Sequence, residues 1–273
     1  MKLPENCITK ILSFTSPQDA FRLSLTMGST FGSAAESDAV WEAFMPSDYT
    51  DIISRSLEFS PPPLTFSIKD LFFHLAHTPL IIDHGTKSFS LEKSSGRKCY
   101  MLGARDLNIV WSNDPEYWIF KSLPESRFPE VAELLLVCWL EINGKLSTNL
   151  LSRNTLYGAY LVFKVTSQVI GIDSHPMEVS CGISGSDTAY KTHTVFLDHR
   201  RRRKNGSRNK MKNLPKARGD GWLEIKIGEY LKLDDDEEDD GHDLEMSFKG
   251  VKERHWKAGL IIEGIEIRPE RNK

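Results

Sequence analysis

Cysteine is scarce in this 273-residue sequence, and the four that occur, Cys7, Cys99, Cys138 and Cys181, are widely separated. None stands in a Cys-x-x-Cys pair, so neither a disulfide framework nor a thiolate zinc site is expected. The thiols read as small hydrophobes of a reduced compartment, cytoplasmic and/or nuclear. Long apolar runs are missing too: the longest, Leu134 to Leu140, falls far short of the roughly 20 residues that carry a helix across a bilayer. No membrane span is expected. Met1 and Leu3-Pro4 lead into polar and charged residues instead of the basic, apolar and small-residue regions of a secretory leader, so none is expected. Net charge is nearly absent, 35 Lys+Arg against 38 Asp+Glu giving a formal −3, which argues against a dedicated nucleic-acid binder. The chain also lacks a Gly-x-Ser-x-Gly elbow, a phosphate loop and a dinucleotide fingerprint, and His74 and His77 have no third metal ligand at usable spacing. No catalytic residue, metal or cofactor is expected.

What is present divides along the chain. Leu3, Ile8, Ile11, Leu12 and Phe14 recur at helical spacing after Pro4, whose missing N–H suits a helix start. Ser16-Pro17-Gln18-Asp19 reads as the cap and first turn of a second helix, with Phe21 and Leu25 on one face. A third begins near Ser37-Asp38, carries Val40, Trp41 and Phe44, and stops at Pro46. Three short helices cannot bury a self-sufficient core, so this unit, residues 1–47, should pack on a neighbour or a partner. Residues 48–97 read as a connecting region, with a proline-rich, extended break at Phe59 to Thr65 and a short amphipathic helix at Asp70 to His77.

From residue 98 to 273 the period shifts towards two. Leu134 to Ile142, Gly158 to Thr166, Met177 to Ile183, Thr194 to Leu197, Gly221 to Ile227 and Gly259 to Ile267 are strand-like runs bounded by turn residues. In the fifth run Leu223, Ile225 and Ile227 alternate with Glu224 and Lys226, so one face must meet a core and the other water. The fold class expected is mainly β, a C-terminal jelly-roll β-sandwich preceded by a small three-helix domain.

Two motif sets carry a family resemblance. Leu3-Pro4-Glu5, the Ser-Pro-x-Asp second helix and the Val-Trp-Glu-x-Phe third resemble the F-box. Lys-Cys-Tyr-Met-Leu (98–102), Ala-Arg-Asp-Leu-Asn-Ile-Val-Trp (104–111), Pro-Glu-Tyr-Trp (115–118), Ser-Arg-Phe-Pro-Glu-Val-Ala-Glu-Leu (126–134) and Gly-Asp-Gly-Trp-Leu-Glu-Ile (219–225) resemble the plant phloem protein 2-like, or Nictaba-like, lectin domain. Together the chain is similar to plant F-box proteins of phloem protein 2 B type. The resemblance implies docking on a Skp-type adaptor through Leu3, Pro4, Ile8, Ile11 and Leu12, with Trp41 anchoring the third helix, and through the adaptor a cullin. It implies a non-catalytic substrate-recognition subunit of a ubiquitin ligase whose lectin-like domain binds N-acetylglucosamine-containing glycans or glycoproteins. The alternative is a stand-alone intracellular lectin.

Trp111 and Trp118 match the family's carbohydrate-binding pair, and they bracket the turn-forming Ser112 to Glu116, so the two indoles are expected to converge at a loop mouth. Sugar rings stack their C–H faces on aromatics while amides and carboxylates take the hydroxyls. The competing reading makes either indole part of the sandwich core. Glu224, beside Trp222, is a weaker third candidate. The basic run Arg200 to Lys204 reads either as a nuclear-import signal or as a solvated loop, and Asp234 to Asp240 as a repelling acidic loop. Without these two blocks 30 basic residues face 31 acidic ones, so the rest of the chain is balanced. Asn205-Gly206-Ser207 is a glycosylation sequon expected to stay unused.

Overall fold

The structure, a computed structural model, describes residues 3–26, 28–56, 67–172, 175–185, 191–197, 214–234, 242–252 and 255–270. The proline-rich break, the basic run, the sequon and residues 235–240 of the acidic block lie outside the described residues. The chain forms two compact units, Met1–His84 with Ser88–Tyr100, and Gly85–Lys87 with Met101–Lys273.

The first unit is helical. Pro4 occupies the N-cap of α1 (Glu5–Ser13), and its carbonyl accepts from the N–H groups of Cys7 and Ile8 at 3.0 and 3.2 Å. Ser16 caps α2 (Pro17–Thr26): its hydroxyl accepts from the Asp19 N–H at 3.1 Å and donates to the Asp19 carboxylate at 2.8 Å. Next comes α3 (Ser29–Ala35), a helix absent from the three expected. Its sequence Ser-Thr-Phe-Gly-Ser-Ala-Ala has a single large apolar residue, so no amphipathic stripe to read, and its Ser, Thr and Gly are weak helix formers; packing against α1 and α2 holds it. Trp41 on α4 (Asp38–Glu42) is fully buried, donates to the Ala35 carbonyl at 2.7 Å and meets the rings of Phe44, Phe72 and Phe73 at 5.0–5.7 Å. This aromatic cluster is the core of the unit.

Residues 48–97 hold more than the single helix expected of a connector. They carry α5 (Tyr49–Ser54), α6 (Ile68–His77), β1 (Leu80–Ile82) and β2 (Lys87–Leu91). A capping box between Ser67 and Asp70 starts α6. Arg55 grips Asp83 through two hydrogen bonds of 2.8 and 2.7 Å, and Lys98 reaches Asp48 at 3.0 Å, so polar side chains tie this stretch into the unit.

The second unit is mainly β, as the alternation requires. Its strands are β3 (Lys98–Gly103, from Met101 on), β4 (Asn108–Ile109), β5 (Trp118–Lys121), β6 (Val131–Leu134), β7 (Leu140–Ser147), β8 (Thr155–Ile170), β9 (Met177–Ile183), β10 (Lys191–Val195), β11 (Lys216–Ala217), β12 (Leu223–Lys232), β13 (Asp243–Gly250) and β14 (Ala258–Pro269). One antiparallel sheet runs β3-β14-β8-β12-β11, with β6 also on β14 and β5 on β6; the other runs β10-β9-β13-β7-β4. They stack face to face. A Cβ on Gly228 of β12 would come within 2.3 Å of the Cys181 Cβ of β9, and one on Gly144 of β7 within 3.1 Å of Ile265 on β14. Such close approach at Gly228 needs a residue without a side chain.

The expected run Leu134 to Ile142 resolves into the end of β6 and the start of β7, because the backbone between them leaves the ladder except for a bridge from Val137 to Lys257. The two sheets differ in a way that decides where a ligand can go. Strand β14 is buried along ten consecutive positions, whereas β7 and β13 bury every second residue and give the others to the outer face.

Candidate functional site

Two surfaces carry side chains that folding alone does not explain. On the first unit, Ile8 and Leu12 turn inward and are buried, 2 % and 0 % exposed, which corrects their assignment to a contact with an adaptor: they are spent on the unit's own core. Leu3 and Pro4 stay exposed, as does Ile11. Phe14, which follows α1, is 78 % exposed, and on α2 Phe21 and Leu25 also face solvent, the latter 71 % exposed. Ile11 with Phe14 and Phe21 with Leu25 share a flank of their helices at i,i+3 and i,i+4 spacing. Exposed large apolar residues grouped in this way mark an interaction surface. The sequence pattern pointed at α1 but could not tell inward from outward positions.

On the second unit, the loop after β4 holds Trp111 out in solvent, 56 % exposed, at a backbone φ of 68°. A left-handed conformation is costly for a bulky side chain and persists only where surroundings impose it. Here successive turns impose it: the Ser112 N–H donates to the Ile109 carbonyl, the Asp114 N–H to the Trp111 carbonyl, and the N–H groups of Tyr117 and Trp118 to the Asp114 carbonyl, all at 3.0–3.1 Å. The Asp114 carboxylate accepts from the Glu116 N–H at 2.9 Å. Trp118 does not join Trp111 at a loop mouth. It is 2 % exposed, and its indole N–H donates to the Val110 carbonyl at 3.2 Å, so it is a core residue that pins the base of the loop. The ring that faces Trp111 is Tyr117, with centroids 6.0 Å apart and planes at 61°. Tyr117 stands in the Pro-Glu-Tyr-Trp motif, but only the fold shows which of two adjacent aromatics points outward.

Glu224 is elsewhere. It lies on β12 of the other sheet, its side chain only 11 % exposed, and its two oxygens accept from Arg218 at 3.1 Å and Arg268 at 2.8 Å. The same guanidinium of Arg218 donates to Glu266 at 2.7 Å. Burial alone would raise the Glu266 carboxyl; Arg218, then Arg268 and Arg127, overcome it and hold it down at about 2. Glu224 is thus a member of a buried ion cluster, with no free oxygen for a sugar. Among the described residues there is also no group of three His, Cys, Asp or Glu side chains able to hold a metal ion.

Comparison with known proteins fits this two-part layout. The Phloem protein 2 family profile matches residues 97–269. Over 271 residues, 99 % of this chain and 98 % of the other, the sequence is 47 % identical to the Arabidopsis thaliana protein PP2-B12. It is 42 % identical to the Arabidopsis F-box protein PP2-B10, over 97 % of this chain and 92 % of that one. The chain belongs to the phloem protein 2 family, in its F-box-bearing PP2-B branch. Among solved structures, the CBM22-1 xylan-binding domain of Paenibacillus barcinonensis Xyn10C overlaps 63 % of this chain and 90 % of its own, at 10 % identity and a TM-score of 0.32, a likeness too distant to bear on ligands.

Proposed function

We propose that the chain is the substrate-recognition subunit of a Skp-cullin-F-box ubiquitin ligase, its α1–α2 face docking on the Skp-type adaptor and its second unit selecting a glycan or glycoprotein target. It contributes no catalytic residue in this reading; ubiquitin transfer belongs to its partners, in the cytoplasm or nucleus. The observation that carries the reading is the exposure of Leu3 and Phe14 at the ends of α1, of Ile11 on it and of Leu25 on α2, two short helices whose inward faces are already filled. An isolated domain gains nothing by keeping Phe14 in water, while a partner groove would bury it at about 25 cal/mol per Å². The F-box names of the chain's relatives point the same way.

Pull-down of a purified Skp-type adaptor by the full-length chain tests it. Phe14→Asp and Leu25→Asp should each weaken capture at least about tenfold with an unchanged melting temperature, since both side chains are exposed. Capture that is absent in wild type, or unaltered in both variants, defeats the docking claim. A stand-alone lectin is the second reading, favoured by the strained exposure of Trp111. It predicts oligosaccharide binding with no adaptor capture at all.

A further inference from the structure

The outer face of the five-stranded sheet carries a feature visible only through its register. Asn108 on β4 lies opposite Asn143 on β7, Asn143 opposite Ser247 on β13, Ser247 opposite Ser180 on β9, and Ser180 opposite Thr192 on β10. One uncharged amide or hydroxyl from every strand therefore forms a single row straight across the sheet. With strands about 4.8 Å apart, the row is about 19 Å long. All five residues line one groove of about 510 Å³, and Asn108 also lines the depression beneath Trp111.

The rows on either side are charged but neutralised. Glu141 pairs with Lys249 at 2.9 Å, and Lys145 pairs with Glu245. Trp139, 41 % exposed, stands beside the first of these and donates its indole N–H to Glu141 at 3.0 Å, while Asn143 donates to the other oxygen of the same carboxylate at 3.2 Å. Within the row the Ser247 hydroxyl is shielded from solvent and has no hydrogen-bond partner among the described residues. A buried hydroxyl left unpaired costs roughly 1–3 kcal/mol unless something answers it.

We infer that this row seats an extended neutral oligosaccharide, running from Trp111 across the five strands. The inference rests on the reading of the second unit as a glycan-recognition domain and extends it from one loop to a path. Its chemistry selects the occupant. Hydroxyls and amides that both donate and accept match a chain of sugar hydroxyls, and the indole of Trp111 offers a face for sugar C–H groups. A polyanion would need unpaired cations, and Lys145 and Lys249 are paired. An extended peptide would add at a sheet edge through its backbone, not lie across the strands.

Calorimetric titration of the full-length chain with N-acetylglucosamine and with β-1,4-linked tetramers of N-acetylglucosamine, mannose and xylose tests the path. Wild type should bind the preferred tetramer at least about tenfold more tightly than the monosaccharide. Ser180→Glu, which puts a charge in the row, and Thr192→Glu, which puts one at its exposed far end, should each bring tetramer affinity down to that of the monosaccharide and leave monosaccharide affinity unchanged. A tetramer bound no better than the monosaccharide, or bound equally by both row variants while Trp111→Ala abolishes it, overturns the path and leaves the loop as the whole site. Wild type that binds no sugar overturns the glycan reading itself along with the path.

Discussion

Trp111 and Trp118 flank the same turn, and their opposite environments set opposite expectations for substitution. Trp118→Ala opens a cavity in the core and removes the hydrogen bond to Val110, so it should cost about 3–5 kcal/mol in chemical denaturation. Trp111→Ala changes an exposed side chain and should stay within about 0.5 kcal/mol of wild type while losing oligosaccharide binding. Two glutamates on β14 form a second contrasting pair. Glu266 has its folded pKa pulled down to about 2, below the usual carboxylate value of about 4.3, so its contribution is present above pH 4.3 and is lost as pH falls towards 2. Glu263 is buried, which raises its carboxyl; the hydrogen bonds from the Arg127 N–H and the Ser126 hydroxyl only partly offset this, and its second oxygen has no hydrogen-bond partner among the described residues. Its sign is reversed, so it favours the fold when protonated and weighs against it as pH rises through the folded value. Glu266→Gln should therefore cost about 1–3 kcal/mol at pH 7, because Arg218 and Arg268 keep Glu224 but lose the carboxylate they share, whereas Glu263→Gln should be neutral or stabilising there. Urea denaturation of both variants at pH 4 and pH 7 separates these outcomes; equal losses at pH 7 would refute the assignment.

Strand by strand, alternation was legible wherever only one face is buried. Ile225 and Ile227 turn inward as their alternation requires, although the opposite face of β12 is enclosed at Glu224 instead of meeting water; the same alternation in Leu244, Met246 and Phe248 forms β13, a strand absent from the expected runs. Strand β14 offered no such alternation, because both of its faces are covered. The helix α3 was illegible for the opposite reason, having no apolar stripe of its own. Sheet stacking leaves its own test at Gly228. Gly228→Ala should destabilise by about 1–3 kcal/mol, read as a lower denaturation midpoint, because its methyl would meet Cys181 across the sandwich. A Cys181→Gly change in the same background should restore part of the loss.

Across the molecule, the thiols report where the two units are closed. Cys99 and Cys181 are buried, and burial pushes the Cys181 thiol up to about 12, where thiolate is scarce at neutral pH. Cys7 and Cys138 are exposed. A thiol-reactive chromophore should therefore count two fast cysteines in the native chain and four after denaturation; a third fast thiol would contradict the packing. Phe14 and Trp111 belong to different units, so Phe14→Asp should lose adaptor capture with sugar binding intact, and Trp111→Ala the reverse.

The sequence by itself determined the class of this protein: a short capped helical segment, a change of period from helical to two, and the motifs at 98–134 and 219–225 that place it among phloem protein 2 relatives. Those features are local, set by neighbours three or four positions away on a helix or two on a strand. Only the tertiary structure decided which side chains are free to act. It turned Ile8, Leu12 and Trp118 inward, enclosed Glu224 between two guanidinium groups, and left Trp111, Phe14 and Leu25 outside. It also aligned Asn108, Asn143, Ser247, Ser180 and Thr192, residues that nothing local relates and that lie as far apart in sequence as Asn108 and Ser247. Their row exists because strand register is a long-range quantity, set by how two sheets bury their inner faces against each other.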